Sequence, residues 1–263
     1  MREFLDTAVS AAKAAGELQR QRLRQEHDIV FKGESDLVTE VDKGCEELIV
    51  GAILERFHSH DIIAEENVYP QRGSSLRWII DPLDGTTNYA HGFPWFAVSI
   101  AMEIDCEVQV GVVYHTMMDE LFTAVRGEGA SLNGERIHVS TRAPLKSALL
   151  ATGFPYDKSW DRENNFANFE RFQIASRAVR RAGAAALDLA YVAAGRLDGF
   201  WECKLKPWDV AAGTLLVEEA GGRVTNHGGG PYDIRHHRVL ASNGLIHDEM
   251  AALLREGDNP FLP

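Results

Sequence analysis

The stretch Trp78 to Asn88 (WIIDPLDGTTN) constrains this chain more than any other. Trp78, Ile79 and Ile80 form a short apolar run of the kind a buried strand requires, and the run ends directly in a carboxylate, Asp81. Pro82 fixes the backbone angle after it, Asp84 follows within one turn, and Gly85 with two threonines begins a helix. Two acids this close repel each other, so something must compensate them. A bound hard cation is one answer, because carboxylate and carbonyl oxygens suit Mg²⁺. The N–H groups of Gly85 and Thr86 would also form a helix N-terminus able to hold a phosphate. The other answer is an Asx-turn in which Asp81 bonds locally, the commoner fate of a D-P-x-D-G stretch.

Composition limits what such a site could serve. The 263 residues carry 27 Lys plus Arg against 39 Asp plus Glu, a formal charge of −12. A chain this acidic would be repelled along a phosphate backbone, so non-specific nucleic-acid binding is not expected. With 45% hydrophobic and 25% charged residues, the composition is that of a globular protein with a sizeable core. Its N-terminus lacks the basic start, apolar stretch and cleavage site of a secretion signal, and no apolar run approaches a membrane span. Cys45, Cys106 and Cys203 are odd in number and widely spaced, which points to buried inert thiols in a cytoplasmic protein.

Periodicity divides the chain into two textures. Apolar residues from Phe4 to Leu18 recur at helical spacing, and Thr39 can cap a second helix whose stripe runs Val41, Cys45, Leu48, Ile49, Ala52, Ile53 and Phe57. Residues 27–37 between them should be an extended segment with a Gly-containing loop. Strands are expected at Ile62–Ala64, Trp78–Ile80, Ala97–Glu103, Val108–Tyr114 and Glu120–Val125, with an Asn133-Gly134 turn before a further strand at Ile137–Val139. From about residue 146 strands and helices alternate: strands at Ala148–Thr152, Ala178–Arg180, Gly199–Glu202 and Val239–Ala241, and helices near Glu163–Ser176, Gly183–Ala194, Trp208–Ala220 and from His247. Two halves are therefore expected, an α+β half over 1–145 and an alternating α/β half over 146–263.

Three further places offer acids. Glu65-Glu66 follows a strand, where two solvated charges opening a loop are the plainer reading. Asp209 stands in Lys206-Pro207-Trp208-Asp209, where it would suit the first turn of a helix. Asp42, three residues after Thr39, fits a capping box. Their functional reading depends on convergence in space. His58, His60, His236 and His237 read as loop or surface histidines, and Trp78, Trp95, Trp201 and Trp208 as core or interface aromatics.

Taken together, Ser35–Asp42 (SDLVTEVD), Ile63–Glu66 (IAEE), Trp78–Asn88, Gly183–Ala186 (GAAA) and Lys206–Gly213 (KPWDVAAG) resemble the inositol monophosphatase family of Mg²⁺-dependent, lithium-sensitive phosphatases. Phe93–Ile100 and Glu218–Gly222 add to the likeness, and Ala64 departs from it, standing where glycine is usual. The resemblance spans nearly the whole chain. It implies an α+β/α/β fold, a layered α-β-α-β-α sandwich of the inositol monophosphatase and sugar phosphatase type, with the site where the halves meet.

The same resemblance implies roles. Glu65, Asp81 and the Leu83 carbonyl oxygen would hold a first Mg²⁺, and Asp81, Asp84 and Asp209 a second. Glu65 could serve a weaker third site through water. Thr86, bonded to Asp42, would orient a water for in-line attack on phosphorus without a covalent intermediate. Gly85 and Thr86 would cradle phosphate oxygens, while Asp84, Glu202 and the backbone at Ala185 would meet substrate hydroxyls. Lys32 matches a loop position near the metals. Inositol monophosphate leads as substrate. Fructose 1,6-bisphosphate, histidinol phosphate and a dinucleotide 2′-phosphate such as that of NADP are alternatives within the same chemistry. A homodimer is implied, with no membrane partner. A regulatory role in transcription complexes is the alternative from a different class.

Overall fold

The computed structural model describes residues 1–23, 25, 30–31 and 37–257. Lys32 lies outside them, as do Ser35 and Asp36 and most of the segment expected to be extended. In chain order the elements begin α1 (Arg2–Arg22), β1 (Val30–Phe31), β2 (Leu37–Val38), α2 (Glu40–Arg56), β3 (Asp61–Ala64), β4 (Leu76–Asp84), α3 (Thr86–Ala90), β5 (Ala97–Ile104) and β6 (Glu107–His115). Then come β7 (Glu120–Val125), β8 (Gly129–Leu132), β9 (Glu135–Arg136), β10 (Leu149–Thr152), α4 (Phe166–Ala175), β11 (Ala178–Arg180) and α5 (Ala185–Ala193). β12 (Gly199–Cys203), α6 (Pro207–Glu219), β13 (Arg223–Thr225), β14 (Arg238–Ser242) and α7 (His247–Gly257) follow.

Among the described residues, two large sheets organise the molecule, beside a short pairing of β1 with β2. The first large sheet has the order β3-β4-β5-β6-β7-β8-β9 and the second β11-β10-β12-β14-β13. Helices α1 and α2 cover one face of the first sheet, α5 and α6 lie between the sheets, and α4 and α7 close the far face of the second. This is the five-layered α-β-α-β-α sandwich. The apolar side chains bear out the layering. One cluster joins α1 and α2 to the first sheet, a second surrounds α5 and α6, and a third lies under α4 and α7. Because α5 and α6 are covered on both sides, they are apolar nearly all round, with Val210 through Val217 buried without interruption. At Gly111 of β6 a Cβ would stand 2.8 Å from the Ala212 carbonyl oxygen, so glycine lets α6 lie directly on the sheet.

Some local expectations fail, for tertiary reasons. Ile137–Val139 is not a strand. Ile137 N–H still bonds the Ala130 carbonyl, but Val139 N–H bonds that of Ala220, because the chain is leaving the first sheet to cross toward the second half. Cys106 is exposed: it and Asp105 both take positive φ (65° and 51°) in the turn joining β5 to β6. Cys45 and Cys203 are buried, as expected. His60 is a core residue, not a surface one, with its Nδ1 accepting a hydrogen bond from Trp78 Nε1 at 3.1 Å. Among the described residues, no helix is long and apolar enough to cross a membrane.

Candidate active site

The site forms at the ends of two parallel strands. β3 pairs with β4 in the register Ala64 to Ile80, so one residue further along, Glu65 comes beside Asp81. The ladder between β4 and β5 then shifts between Asp81 and Asp84, where Pro82 interrupts it. Asp81 is 1% exposed and accepts the Leu83 N–H on Oδ1 at 2.9 Å, which is the Asx-turn geometry. Gly85 follows at φ +99°, and a Cβ there would lie 2.9 Å from the Trp95 carbonyl oxygen, so only glycine lets the chain turn into α3.

Thr86 opens α3. Its hydroxyl is 2.8 Å from Asp42 Oδ1, with the Leu83 carbonyl oxygen a second acceptor at 3.1 Å. Asp42 spends its other oxygen on α2, where Oδ2 takes the Thr39 main-chain N–H at 2.8 Å and completes the capping box. The local and the functional readings of Asp42 are therefore compatible, because a carboxylate has two oxygens.

The second half supplies the remaining wall. Asp84 reaches across to the first turn of α5, accepting the N–H groups of Ala185 (3.2 Å) and Ala186 (2.7 Å). Asp209, in the first turn of α6, accepts the Lys206 N–H at 2.7 Å. Glu202, on β12, is 8% exposed and lies against Gly153, where a Cβ would stand 2.2 Å from its carboxylate. Glu65, Asp81, Leu83, Asp84, Gly85 and Thr86 line one cavity of about 470 Å³ together with Ala185, Glu202 and Asp209. Asp42 sits behind Thr86 rather than on the wall.

Burial and mutual repulsion dominate the electrostatics. Burial holds Asp81 well above the usual carboxylate range, and the charges of Glu65, Asp84 and Asp209 push it further. Asp84 rises to about 7, through burial and then Asp209, despite the amides that bond it. Glu202 rises to about 8, again through burial and then Asp209, with Arg181 opposing. Such a donor set suits a cation: hard oxygen ligands, crowded with like charge, at the wall of a polar cavity. Among the described residues, however, no group of three or more His, Cys, Asp or Glu side chains could hold a metal ion as it stands. Main-chain amides fix the carboxylates of Asp84 and Asp209 where they are.

Sequence reasoning missed three residues here. Asp188 of α5 is 2% exposed, lines the cavity, and has a buried Oδ1 with no hydrogen-bond partner. Asn88 Nδ2 bonds the carbonyls of Trp95 (2.7 Å) and Ala182 (2.9 Å), tying α3 to the chain that leads into α5. Glu46, buried on α2, contacts the loop after Glu65. Glu46 and Asp188 are polar residues on otherwise buried helix faces, which is the signal that could have found them.

The profile of the "Inositol monophosphatase family" matches residues 1–258. This chain belongs to the inositol monophosphatase family. "Inositol monophosphatase 2" of Solanum lycopersicum is 45% identical over 267 residues, covering 98% of this chain and 100% of that relative. "Nus factor SuhB" of Pseudomonas aeruginosa is also 45% identical, over 92% of both chains. The solved structure of inositol monophosphatase from Anabaena (Nostoc) superposes with a TM-score of 0.89 at 44% identity, covering 97% of this chain and 96% of that one. The inositol monophosphatase family is generally metal-dependent, in keeping with the acidic wall of the cavity.

Proposed function

We propose that this protein is a Mg²⁺-dependent phosphomonoesterase that hydrolyses inositol monophosphate by direct attack of water, with no covalent intermediate. One observation carries the reading: carboxylates from separate stretches of chain line a single cavity beside a hydroxyl held by a buried acid. Glu65, Asp81 and the Leu83 carbonyl would hold one Mg²⁺, and Asp81, Asp84 and Asp209 a second. Glu65 would reach a third through water. When bound, the ions supply Lewis-acid stabilisation of phosphoryl charge and a water of lowered pKa.

The protein's own groups do the rest. Thr86 donates its hydroxyl hydrogen bond to Asp42, which leaves the oxygen's lone pairs free to accept from a water and aim it at phosphorus. Attack forms one P–O bond as the ester P–O bond breaks opposite; the attacking water gives up one proton and the leaving alkoxide takes one up, so the products are the polyol and inorganic phosphate. Gly85 and Thr86 border the place where the phosphate would sit. Glu202 and Asp84 would pair with the polyol's hydroxyls, with the Ala185 backbone beside them. The expected assembly is a lithium-sensitive cytoplasmic homodimer.

The test is phosphate release from inositol 1-phosphate with Mg²⁺, with and without Li⁺, beside fructose 1,6-bisphosphate, histidinol phosphate and NADP. A preference for inositol 1-phosphate supports the reading, and preference for another ester moves the substrate within the same chemistry. A purified protein releasing no phosphate from any of them overturns it. That result would favour the second reading, a regulatory role in a transcription complex, which rests on the relatives named "Nus factor SuhB".

A further inference from the structure

Glu46 is fully buried on α2, and both of its carboxylate oxygens are engaged. Oε2 accepts the main-chain N–H of Glu66 at 2.8 Å. Oε1 accepts the main-chain N–H of Asn67 at 2.9 Å, the Asn67 side-chain amide at 2.9 Å and the Tyr69 hydroxyl at 3.0 Å. Burying a carboxylate is costly unless donors replace its water, and here four do so. All four come from the segment that begins immediately after Glu65.

The location gives this clamp a consequence for the cavity. β3 is a four-residue strand at the edge of its sheet, paired on one side to β4, and Glu65 is the first residue beyond it. The ladder therefore stops just before the residue whose direction matters most. Holding the N–H groups of Glu66 and Asn67 fixes the two peptide planes that follow Glu65. Because peptide units are rigid, this fixes the backbone torsion of Glu65 and the direction in which its side chain leaves the chain.

Glu46 also stands four residues after Asp42, on the same face of α2 and one helical turn away, a rise of roughly 6 Å. Asp42 reaches Thr86, and Glu46 reaches the loop behind Glu65. One helix thus backs two residues of the cavity wall, Thr86 directly and Glu65 through the loop after it, with two buried acids. Its start is locked by the capping box at Thr39, so the spacing between the two contacts cannot drift.

From this geometry we infer that Glu46 is a positioning residue for Glu65, and that α2 acts through Asp42 and Glu46 as a ruler setting Glu65 against Thr86. The inference rests on the proposed metal-dependent function and adds to it a residue outside the cavity wall. Replacing Glu46 by Gln keeps the shape but presents an N–H₂ donor to partners that are themselves donors, so part of the clamp must open.

The test is calorimetric titration of Mg²⁺ into the full chain, wild type against Glu46→Gln, together with thermal melts and steady-state kinetics. Outer partners of metal ligands typically contribute about 10–100-fold in affinity, so Glu46→Gln is expected to bind Mg²⁺ at least about tenfold more weakly. Saturating Mg²⁺ is expected to restore kcat to within about twofold, since Glu46 does not touch substrate. A residue serving stability alone would lower Tm and leave the Mg²⁺ affinity unchanged. That result, in a folded Glu46→Gln protein, overturns the inference. If Glu46→Gln fails to fold, the double variant Asn67→Ala/Tyr69→Phe removes two donors from the loop side and is titrated in the same way. A loss of about threefold or more supports the inference, and wild-type affinity overturns it. Wild-type protein that takes up no Mg²⁺ overturns the metal reading itself, a result separate from equal Mg²⁺ binding by wild type and variant.

Discussion

The Thr86 hydroxyl lies 2.8 Å from Asp42 Oδ1, joining residues 44 positions apart, and the same carboxylate's other oxygen caps the helix that carries it. Removing the hydroxyl should therefore cost both catalysis and stability, while the capping bond on the other oxygen remains. Thr86→Val keeps the shape, and kcat is expected to fall by at least about a hundredfold with little change in KM. The buried Asp42 Oδ1 also loses a donor, at a cost of about 1–3 kcal/mol in stability. Thr86→Ser should recover much of both. Steady-state kinetics and urea melts on the two variants check this, and a Thr86→Val enzyme with normal kcat removes Thr86 from the mechanism.

Neutralising an acid of the cavity should cost activity and not stability. Asp81 keeps its bond to the Leu83 N–H when changed to Asn, but no longer repels Glu65, Asp84 and Asp209. Asp81→Asn is expected to abolish turnover and the Mg²⁺-induced rise in Tm, while its metal-free Tm equals or exceeds that of wild type. Asp209→Asn should behave likewise. Full activity in purified Asp81→Asn would overturn the metal assignment.

Gly153 sets the room available to Glu202. A Cβ there would overlap the carboxylate at 2.2 Å, so Gly153→Ala must displace the Glu202 side chain. KM for a polyol phosphate is expected to rise about tenfold, as for a lost charged hydrogen bond, with Mg²⁺ affinity nearly unchanged. An unchanged KM would place the substrate's hydroxyls elsewhere.

The metal-free protein should lose stability as pH rises above neutrality. Asp84 and Glu202 titrate near 7 and 8 in the folded chain, against ordinary values of 3.8 and 4.5. The folded state keeps these protons where the unfolded chain has released them, so this contribution to stability is lost as pH climbs through 7 and 8. Buried His115 and His247, lowered to about 4 from 6.5, act in the opposite direction but only below about 6.5. Between pH 6.5 and about 8.5 the Tm in EDTA is expected to fall by about 2–5 °C. Glu202→Gln should flatten that slope, and a Tm that rises over this window contradicts the burial of these acids.

Much of this was legible because the decisive signals are local. The Thr39 cap and its acid at Asp42, the break at Pro82 and the glycine at 85 are properties of a few consecutive residues, and each takes the expected place. For Asp81, Asp42 and Asp209 the local reading leaves room for the proposed functional one, since each has a local hydrogen bond and a place at or behind the cavity wall. What was not legible lay on buried helix faces. Glu46 interrupts the apolar stripe of α2 and Asp188 that of α5, yet their partners are distant in sequence, and periodicity registers only that a position is buried. His60 was misread for the same reason, its partner Trp78 lying 18 residues away.

The sequence alone therefore determined most of the elements, the cap at Thr39 and the acids that end the strands. Tertiary structure decided which acids meet. The parallel register of β3 on β4 places Glu65 beside Asp81, and packing α5 and α6 between two sheets brings Ala185 to Asp84 across 101 residues. No local preference can favour gathering like charges into one cavity. Only apolar burial spread over the whole sandwich holds them there, and that burial belongs to the fold rather than to any motif.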